Sequence, residues 1–275
     1  MRERNSATDI ELRLLLEAIY LRFHHDFRSY SMASLRRRVT AALPKMGCAT
    51  ISSLQERLLH EPSAFAQLLG HLTVQVSDLF RDPTFFLAFR ELVVPELRTY
   101  PSLKIWVPGC SSGEEVYSLA IVLREEGLFD RSILYGTDIN NEALVRAESG
   151  IYPTDRMAAF TKNYQLAGGK SSLSSYYTAA YDRAIFDRSL RSQIVFSDHS
   201  LATDGVFAEV QVISCRNVLI YFDDALQERT VDLFSRSLCR RGFLGLGSRE
   251  TLTFSRYAGA FEELSREDKW YRRRS

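Results

Sequence analysis

Residues 104–120 read KIWVPGCSSGEEVYSLA, in which an apolar run stops at a glycine-containing turn and two glutamates follow. The pentapeptide 109–113, GCSSG, has the G-x-S-x-G form of a hydrolase nucleophile elbow, with Ser111 as the nucleophile. The same strand–turn–helix pattern also suits a loop whose glycines let a cofactor lie against the backbone. Both hypotheses place chemistry at this turn.

The acidic residues around the turn favour a particular kind of cofactor. Gly109 and Gly113 are followed by Asp138 in YGTDIN, a spacing at which an acid can hold ribose hydroxyls. Glu114 and Glu115 stand where a pyrophosphate would need a helix N-terminus, and their charges repel phosphate. They suit a cationic ligand without phosphates, such as S-adenosylmethionine. Alternatively, the two glutamates only complement the helix dipole.

The hydrolase hypothesis requires an acid and then a histidine after Ser111. His199 is the only later histidine, and Asp138 could formally serve as the acid. The neighbouring glutamates would disfavour an oxyanion, and a five-residue match has little specificity. We therefore regard this as the weaker of the two hypotheses.

Two further segments carry polar side chains that are candidates for a ligand site. In SCRNVLIYFDDALQER an apolar run ends at Arg216 and Asn217, which place a charge and an amide at a ligand edge, and Tyr221 follows four residues later. In VSDLFRDPTFF, Arg81 stands between apolar residues and Asp82, so a local ion pair is the simpler interpretation of it. Tyr221 alone would more often be a half-buried core residue.

A basic run lies near the N-terminus. MASLRRRVTAAL puts Arg36, Arg37 and Arg38 on consecutive helical positions. Such a run is usually a solvated face, but it could also dock an acidic partner helix.

The apolar pattern predicts the elements that position these residues. From about residue 103, short apolar runs alternate with helical stretches, which predicts an α/β fold with a mainly parallel, doubly wound Rossmann-like sheet and helices on both faces. Ligands of such sheets lie beyond the carboxyl ends of the strands, where the candidate residues fall. Residues 1–75 predict a small helical domain, and residues 151–193 predict an inserted small antiparallel β-sheet with a helix.

Composition excludes several classes of protein. A net charge of +1 provides no global field for nucleic acid or a membrane surface. The four cysteines form no C-x-x-C pair and fit a reduced compartment. No apolar stretch approaches the length of a membrane span, and the charged N-terminus does not resemble a signal peptide. We expect a cytoplasmic protein that neither binds nucleic acid nor inserts into a membrane.

Together these motifs resemble the chemoreceptor glutamate methyltransferases, the CheR family. That family carries T-x-F-F-R, then G-C-S-T-G-E-E-P-Y-S, then T-D-I with A-x-x-G-x-Y, then C-R-N-V-x-I-Y-F. This chain has the counterparts in the same order, at 77–81, 109–118, 137–139 with 147–152, and 215–222. The departures are Leu79 for Phe, Val116 for Pro, Ser200 for Asn and the sequence GSRE at 247–250 for G-x-S-E.

The resemblance implies transfer of a methyl group from S-adenosylmethionine to glutamate side chains on the cytoplasmic helices of chemoreceptors, with S-adenosylhomocysteine as product and no metal. It implies that Arg81 and Tyr221 flank the methyl group, and that residues 76–275 form the methyltransferase domain while 1–75 recognise the receptor. The cofactor contacts it implies are Ser77, Arg81, Gly109, Glu114, Asp138, Ser200, Leu201, Arg216 and Asn217. Glu114 is favoured over Glu115, and we expect a monomer. The alternative function is a catalytically altered S-adenosylmethionine-binding signalling module.

Overall fold

The computed structural model describes residues 6–73 and 77–274. The chain divides into two compact units. One comprises 1–74, 202–204 and 221–229, and the other comprises 75–201, 205–220 and 230–275. The predicted domain boundary between residues 75 and 76 lies outside the described residues.

The larger unit is built on a seven-stranded sheet with strand order β6-β2-β1-β7-β8-β10-β9. Strands β6, β2, β1, β7 and β8 run parallel, and β10 is antiparallel to both β8 and β9. Their bounds are β1 Leu103–Pro108, β2 Ser132–Asp138, β6 Ile194–Asp198, β7 Val210–Cys215, β8 Leu238–Leu246, β9 Phe261–Ser265 and β10 Trp270–Arg273. The predicted α/β fold is thus confirmed. The last two strands were not predicted.

A second sheet of three antiparallel strands lies within the predicted insertion and confirms it. Its order is β3-β5-β4, with β3 Ile151–Pro153, β4 Tyr177–Ala180 and β5 Arg183–Phe186. The buried carboxylate of Glu125 ties this insertion to the main sheet unit, because it accepts hydrogen bonds from the hydroxyls of Tyr164 and Tyr176 and the N–H of Lys170, and pairs with Arg90.

The helices cover the faces of the main sheet and form the smaller unit. Their bounds are α1 Ala7–Phe23, α2 Met32–Ala42, α3 Ile51–His60, α4 Ser63–Leu72, α5 Pro83–Ala88, α6 Val94–Leu97, α7 Glu114–Glu125, α8 Asn141–Ser149, α9 Met157–Leu166, α10 Arg188–Arg191 and α11 Asp224–Ser237. A π-helical turn, Phe89–Val93, joins α5 to α6. Among the described residues, no helix is both long and apolar enough to cross a membrane.

Local signals explain where the helices of the smaller unit begin. Ser6 accepts the N–H of Asp9 at 3.2 Å and Asp9 returns a bond to the Ser6 N–H, so two of the open N–H groups at the start of α1 are satisfied. Thr50 and Ser53 do the same for α3. Ser31 precedes α2 but its side chain makes no capping bond. Its N–H instead donates to the carbonyl of Tyr221 at 2.8 Å.

The segment that carries Arg81 is anchored by an aromatic stack in the larger unit. The fully buried Trp270 ring stacks on Phe85, with ring centroids 4.5 Å apart, and its indole N–H donates to the Phe85 carbonyl at 3.0 Å. Offset aromatic stacking of this kind adds to the free energy gained by burial. The unpredicted strand β10 therefore fixes the start of α5, immediately after Arg81.

Candidate cofactor site at the strand ends

The loop between β1 and α7 is held in a left-handed conformation at several residues. Gly109, Ser111 and Gly113 have φ values of 69°, 51° and 88°. A Cβ atom on Gly109 would lie 2.5 Å from a methyl of Val218, so packing as well as backbone conformation requires glycine there. Because glycine has no side chain, the predicted contact between Gly109 and the cofactor is a contact with the Gly109 backbone.

Asp138 ends β2 and holds this loop. Its Oδ2 accepts the N–H of Ser111 at 2.9 Å and its Oδ1 accepts the N–H of Asn140 at 2.9 Å. Burial raises the pKa of this carboxyl, against the opposing effect of these hydrogen bonds. Because a carboxylate has about four lone-pair positions, Asp138 retains capacity to accept ribose hydroxyls.

The two loop glutamates have different surroundings. The Glu114 carboxylate is fully buried, accepts the Ser112 hydroxyl at 2.8 Å and pairs with Arg156 at 3.0 Å. The Glu115 carboxylate remains 13% exposed and accepts the Ser214 hydroxyl at 2.6 Å. Burial raises the pKa of both carboxyls. Of the two side chains, that of Glu115 alone retains solvent exposure, and the predicted cofactor contact of Glu114 stays a prediction.

Arg216 follows β7 and bonds to several groups of the site. Its guanidinium, 1% exposed, lies 3.1 Å from Glu115 Oε2 and 2.7 Å from Asp82 Oδ2. It also donates to the Arg81 carbonyl at 2.8 Å and stacks over the Phe85 ring at 4.1 Å. Arg216 thus joins three chain segments, and these contacts use most of its donors.

Arg81 lies on a strained turn beside this network. The residues on either side of it, Phe80 and Asp82, have φ values of 52° and 54°, which non-glycine residues rarely adopt. The buried Phe80 N–H donates to the Ser118 hydroxyl at 2.8 Å, which anchors the turn to α7. The Arg81 charge is close enough to oppose the effect of burial on the pKa of Glu115.

Asn217 is positioned by a residue that sequence reasoning did not single out for the site. Glu250, 4% exposed, accepts the N–H groups of Asn217, Val218, Leu219 and Gly247 at 3.0, 2.9, 2.8 and 2.6 Å. Burial raises the pKa of the Glu250 carboxyl and the four N–H groups oppose that rise. The Glu250 carboxylate therefore fixes the backbone of the turn that carries Asn217, whose φ is 60°.

A second residue missed from the sequence is Arg156, after β3. It donates to Asp78 at 2.9 Å and to the carbonyl of Ser77, in addition to its pair with Glu114. It therefore links the predicted contact Ser77 to the loop glutamate. Its position, 42 residues beyond Glu114, follows no spacing rule that could have identified it.

The segment after β6 excludes the hydrolase arrangement. His199 Nε2 lies 3.2 Å from the Gly205 carbonyl, and its Nδ1 is buried with no hydrogen-bond partner among the described residues. Neither ring nitrogen is therefore bonded to Asp138 or Ser111. The His199 main-chain N–H approaches the Asp138 carbonyl at 3.4 Å, which brings the following Ser200 and Leu201 to the end of β2.

Tyr221 and the three predicted recognition arginines all belong to the smaller unit. Arg36 pairs with Asp9, Arg37 is exposed, and the Arg38 guanidinium lies 4.5 Å from the centre of the Tyr221 ring. The predicted partners Arg81 and Tyr221 thus fall in different compact units, and their joint role remains a prediction.

The larger unit brings together acids suited to a cationic nucleoside. Asp138, Glu115 and Glu114 all act on the pKa of the buried Cys110 thiol, which burial raises and these charges raise further. Carboxylates converging on one loop offer partners for an ammonium, a sulfonium and ribose hydroxyls, so the donor set fits S-adenosylmethionine. Among residues 6–73 and 77–274, no group of three metal-ligating side chains could hold a metal ion.

Comparison with known proteins agrees with this geometry. Residues 75–267 match the family described as CheR methyltransferase, SAM binding domain, and residues 10–73 match CheR methyltransferase, all-alpha domain. The chain is 57% identical to methyltransferase Cher3 of Pseudomonas putida, over 98% of both chains. It is 30% identical to chemotaxis protein methyltransferase 2 of Pseudomonas aeruginosa, over 73% of this chain and 72% of that one. It is 29% identical to the chemotaxis protein methyltransferase of Listeria monocytogenes, over 82% and 84%. The chain belongs to the CheR family of S-adenosylmethionine-dependent methyltransferases.

Proposed function

We propose that this protein is a protein-glutamate O-methyltransferase that acts on the cytoplasmic helices of chemoreceptors. The observation that carries the proposal is the cluster in which Arg81, a cation, lies within electrostatic range of Glu115, with Arg216 bonded to both segments. In this proposal Glu115 binds the cofactor, and the cation beside it receives the carboxylate of the substrate. The names of the relatives in Pseudomonas and Listeria support the same substrate class.

The chemistry needs no catalytic base from the protein. A glutamate side chain has an ordinary pKa of about 4.3 and is ionised at neutral pH. When bound, S-adenosylmethionine supplies a methyl group already activated by its positive sulfur, and the carboxylate oxygen takes that methyl as the carbon–sulfur bond breaks and its electron pair stays on sulfur. Catalysis by the protein is then alignment, which can contribute roughly 7–11 kcal/mol in favourable cases.

We assign roles to the site residues accordingly. Arg81 fixes the substrate carboxylate, because its planar fork suits two carboxylate oxygens, and Tyr221 orients it. In this proposal Glu115, whose side chain remains 13% exposed, holds the amino end of the cofactor in place of the predicted Glu114, whose side chain is fully buried. Asp138 holds the ribose. The remaining predicted contacts are Ser77, Gly109, Ser200, Leu201, Arg216 and Asn217.

We further propose that residues 1–75 recognise the receptor and that residues 76–275 carry the methyl transfer. In α2, Arg36 and Arg37 are exposed and face an acidic receptor surface in this proposal. We expect the reaction to take place in the cytoplasm. We also expect the protein to be a monomer, and light scattering of the purified protein will test its oligomeric state.

The deciding experiment is methyl transfer from radiolabelled S-adenosylmethionine to receptor signalling fragments from the same cell. We expect base-labile label on the receptor, the signature of a glutamate ester. Arg81→Ala should lower kcat/KM roughly 100-fold, as loss of substrate alignment does. Arg236→Ala is the matched control, since that side chain is 60% exposed in the same unit. Cofactor binding without label on any receptor would instead support the signalling-module alternative.

A further inference from the structure

Tyr221 is held by the N-terminal helices through its main chain. The Ser31 N–H donates to the Tyr221 carbonyl at 2.8 Å, and the Asp223 N–H donates to the Ser29 carbonyl at 2.9 Å. Between these bonds Tyr30 and Phe222 form an isolated antiparallel bridge, and their rings meet edge to face with centroids 4.9 Å apart. The backbone of Tyr221 is therefore fixed by the residues that immediately precede α2.

The side chain of Tyr221 is held by the same helix. The Arg38 guanidinium lies over the Tyr221 ring, 4.5 Å from its centre, and Nη1 of that guanidinium donates to the Leu72 carbonyl at the end of α4. Arg38 is half-buried, on the side of α2 that carries the buried residues Leu35 and Val39. Both ends of this contact are thus fixed to the helical unit.

The neighbouring arginines have different surroundings. Arg36 is 48% exposed and pairs with Asp9 in α1. Arg37 is exposed and makes no ion pair with any residue in the described ranges. Of the basic run, only Arg38 has its charge directed at an aromatic ring. The three arginines of the run therefore have three different environments.

We infer that Arg38 is a positioning residue for methyl transfer, which fixes the ring of Tyr221 through a cation–π contact, and is not a receptor-binding residue. The inference rests on the proposed function, because it gives the helical unit a part in the reaction beyond recognition. A cation over an aromatic face restricts where the ring can move, and a half-buried contact such as this one is stronger than a fully exposed one. Loss of the contact frees the ring and should slow the transfer step without weakening receptor binding.

The kinetic test compares the arginines of α2. Arg38→Gln should lower kcat by roughly 10-fold, the equivalent of a cation–π contact, with an unchanged KM for the receptor fragment. Arg37→Gln should do the reverse and raise KM with kcat retained. Arg38→Lys keeps a cation and should recover much of the loss. Arg13→Gln, an exposed change in α1, is the neutral control.

A cycle with Tyr221 separates positioning from a general effect on the fold. If Arg38 acts through the ring, Arg38→Gln should cost nothing more in kcat once Tyr221→Ala has removed that ring. Additive losses in the cycle would overturn the inference. So would a pattern in which Arg38→Gln raises KM alone, as expected of a receptor contact.

A measurement independent of activity keeps the inference testable if no receptor is methylated. The chain has 13 tyrosines, so ring-labelled tyrosine gives a countable NMR spectrum in which Tyr221→Ala identifies the Tyr221 signal. That signal should shift in Arg38→Gln and stay in place in Arg13→Gln. An unmoved signal would show that the contact does not exist in solution. An inactive wild type with a shifted signal would reject the proposed function and leave the contact standing.

Discussion

Replacing Arg216 by methionine should destabilise the sheet unit through the charge it leaves behind. Arg216 is 1% exposed, and Glu115, its partner at 3.1 Å, is 13% exposed. Removing one member of a buried ion pair costs about 3–5 kcal/mol, since the other charge remains in a medium of low polarity. Glu115 keeps the Ser214 hydroxyl and the Arg81 charge, so we expect the lower end, about 3 kcal/mol. Asp82 is 45% exposed and should contribute little.

The source of that loss can be isolated with a second change. Glu115→Gln removes the carboxylate charge that Arg216→Met leaves without its ion-pair partner. The variant that carries both changes should therefore be more stable than Arg216→Met alone. We expect a coupling free energy of roughly 1–3 kcal/mol, typical of residues in direct contact. A simple loss of packing by Arg216 would give additive effects.

Tryptophan fluorescence during urea unfolding is the suitable assay. The chain has two tryptophans, Trp106 and Trp270, and both are fully buried in the sheet unit, so their emission reports that unit alone. Arg236→Met, at a side chain 60% exposed, is the matched control and should unfold like the wild type. If Arg216→Met changes the unfolding free energy by less than about 0.5 kcal/mol, the typical size of a surface effect, the buried network is not what holds these segments.

Two further outcomes follow from the buried carboxylates. Glu125→Gln should destabilise the same unit by about 1–3 kcal/mol in the fluorescence assay, because it removes one of the two buried carboxylates that pair with Arg90, while Glu126 remains 2.9 Å from that guanidinium; Glu263→Gln is the exposed control, and equal stability of the two variants would contradict this. Burial raises the pKa of Glu115 and Asp138 above their ordinary values, so protonation should compete with a cationic ligand. The calorimetric affinity for S-adenosylmethionine should therefore fall as pH is lowered through the raised pKa values. Asp138→Asn should weaken binding and flatten this dependence, and an affinity independent of pH would count against both carboxylates as ligands.

The parallel core of the fold could be predicted because its strands are buried on both faces. Strands such as β1 and β7 are short apolar runs that stop at turns. This pattern can be recognised in the sequence without knowing which strands lie beside them. Strands β9 and β10 read FEELS and WYRR and carry charges at the edge of the sheet. Only the pairing of β10 with β8 and of β9 with β10 makes them strands, and no local signal in the sequence expresses that pairing.

The part of the candidate site that lies at the ends of strands could likewise be predicted from the sequence. Asp138 ends β2, and Arg216 and Asn217 directly follow β7, so the topology alone brings them to one edge. Arg156 and Glu250 escaped because they act on other residues of the site, and satisfying a neighbour's carboxylate or N–H groups requires no particular spacing. The different burial of Glu114 and Glu115 could not be predicted, since two adjacent helical residues differ by about 100° in direction and only the packed structure shows which is buried.

The way this chain satisfies its own backbone explains why its site suits a nucleoside without phosphates. Dinucleotide folds leave backbone N–H groups open after the strands, and these groups bind pyrophosphate. Here Asp138 accepts the Ser111 N–H after β1, and Glu250 accepts the Asn217 N–H after β7. An approaching phosphate would have to displace a buried carboxylate and would meet its negative charge. The same carboxylates attract a cationic ligand, so one set of residues both sets the turns and selects the charge of the cofactor.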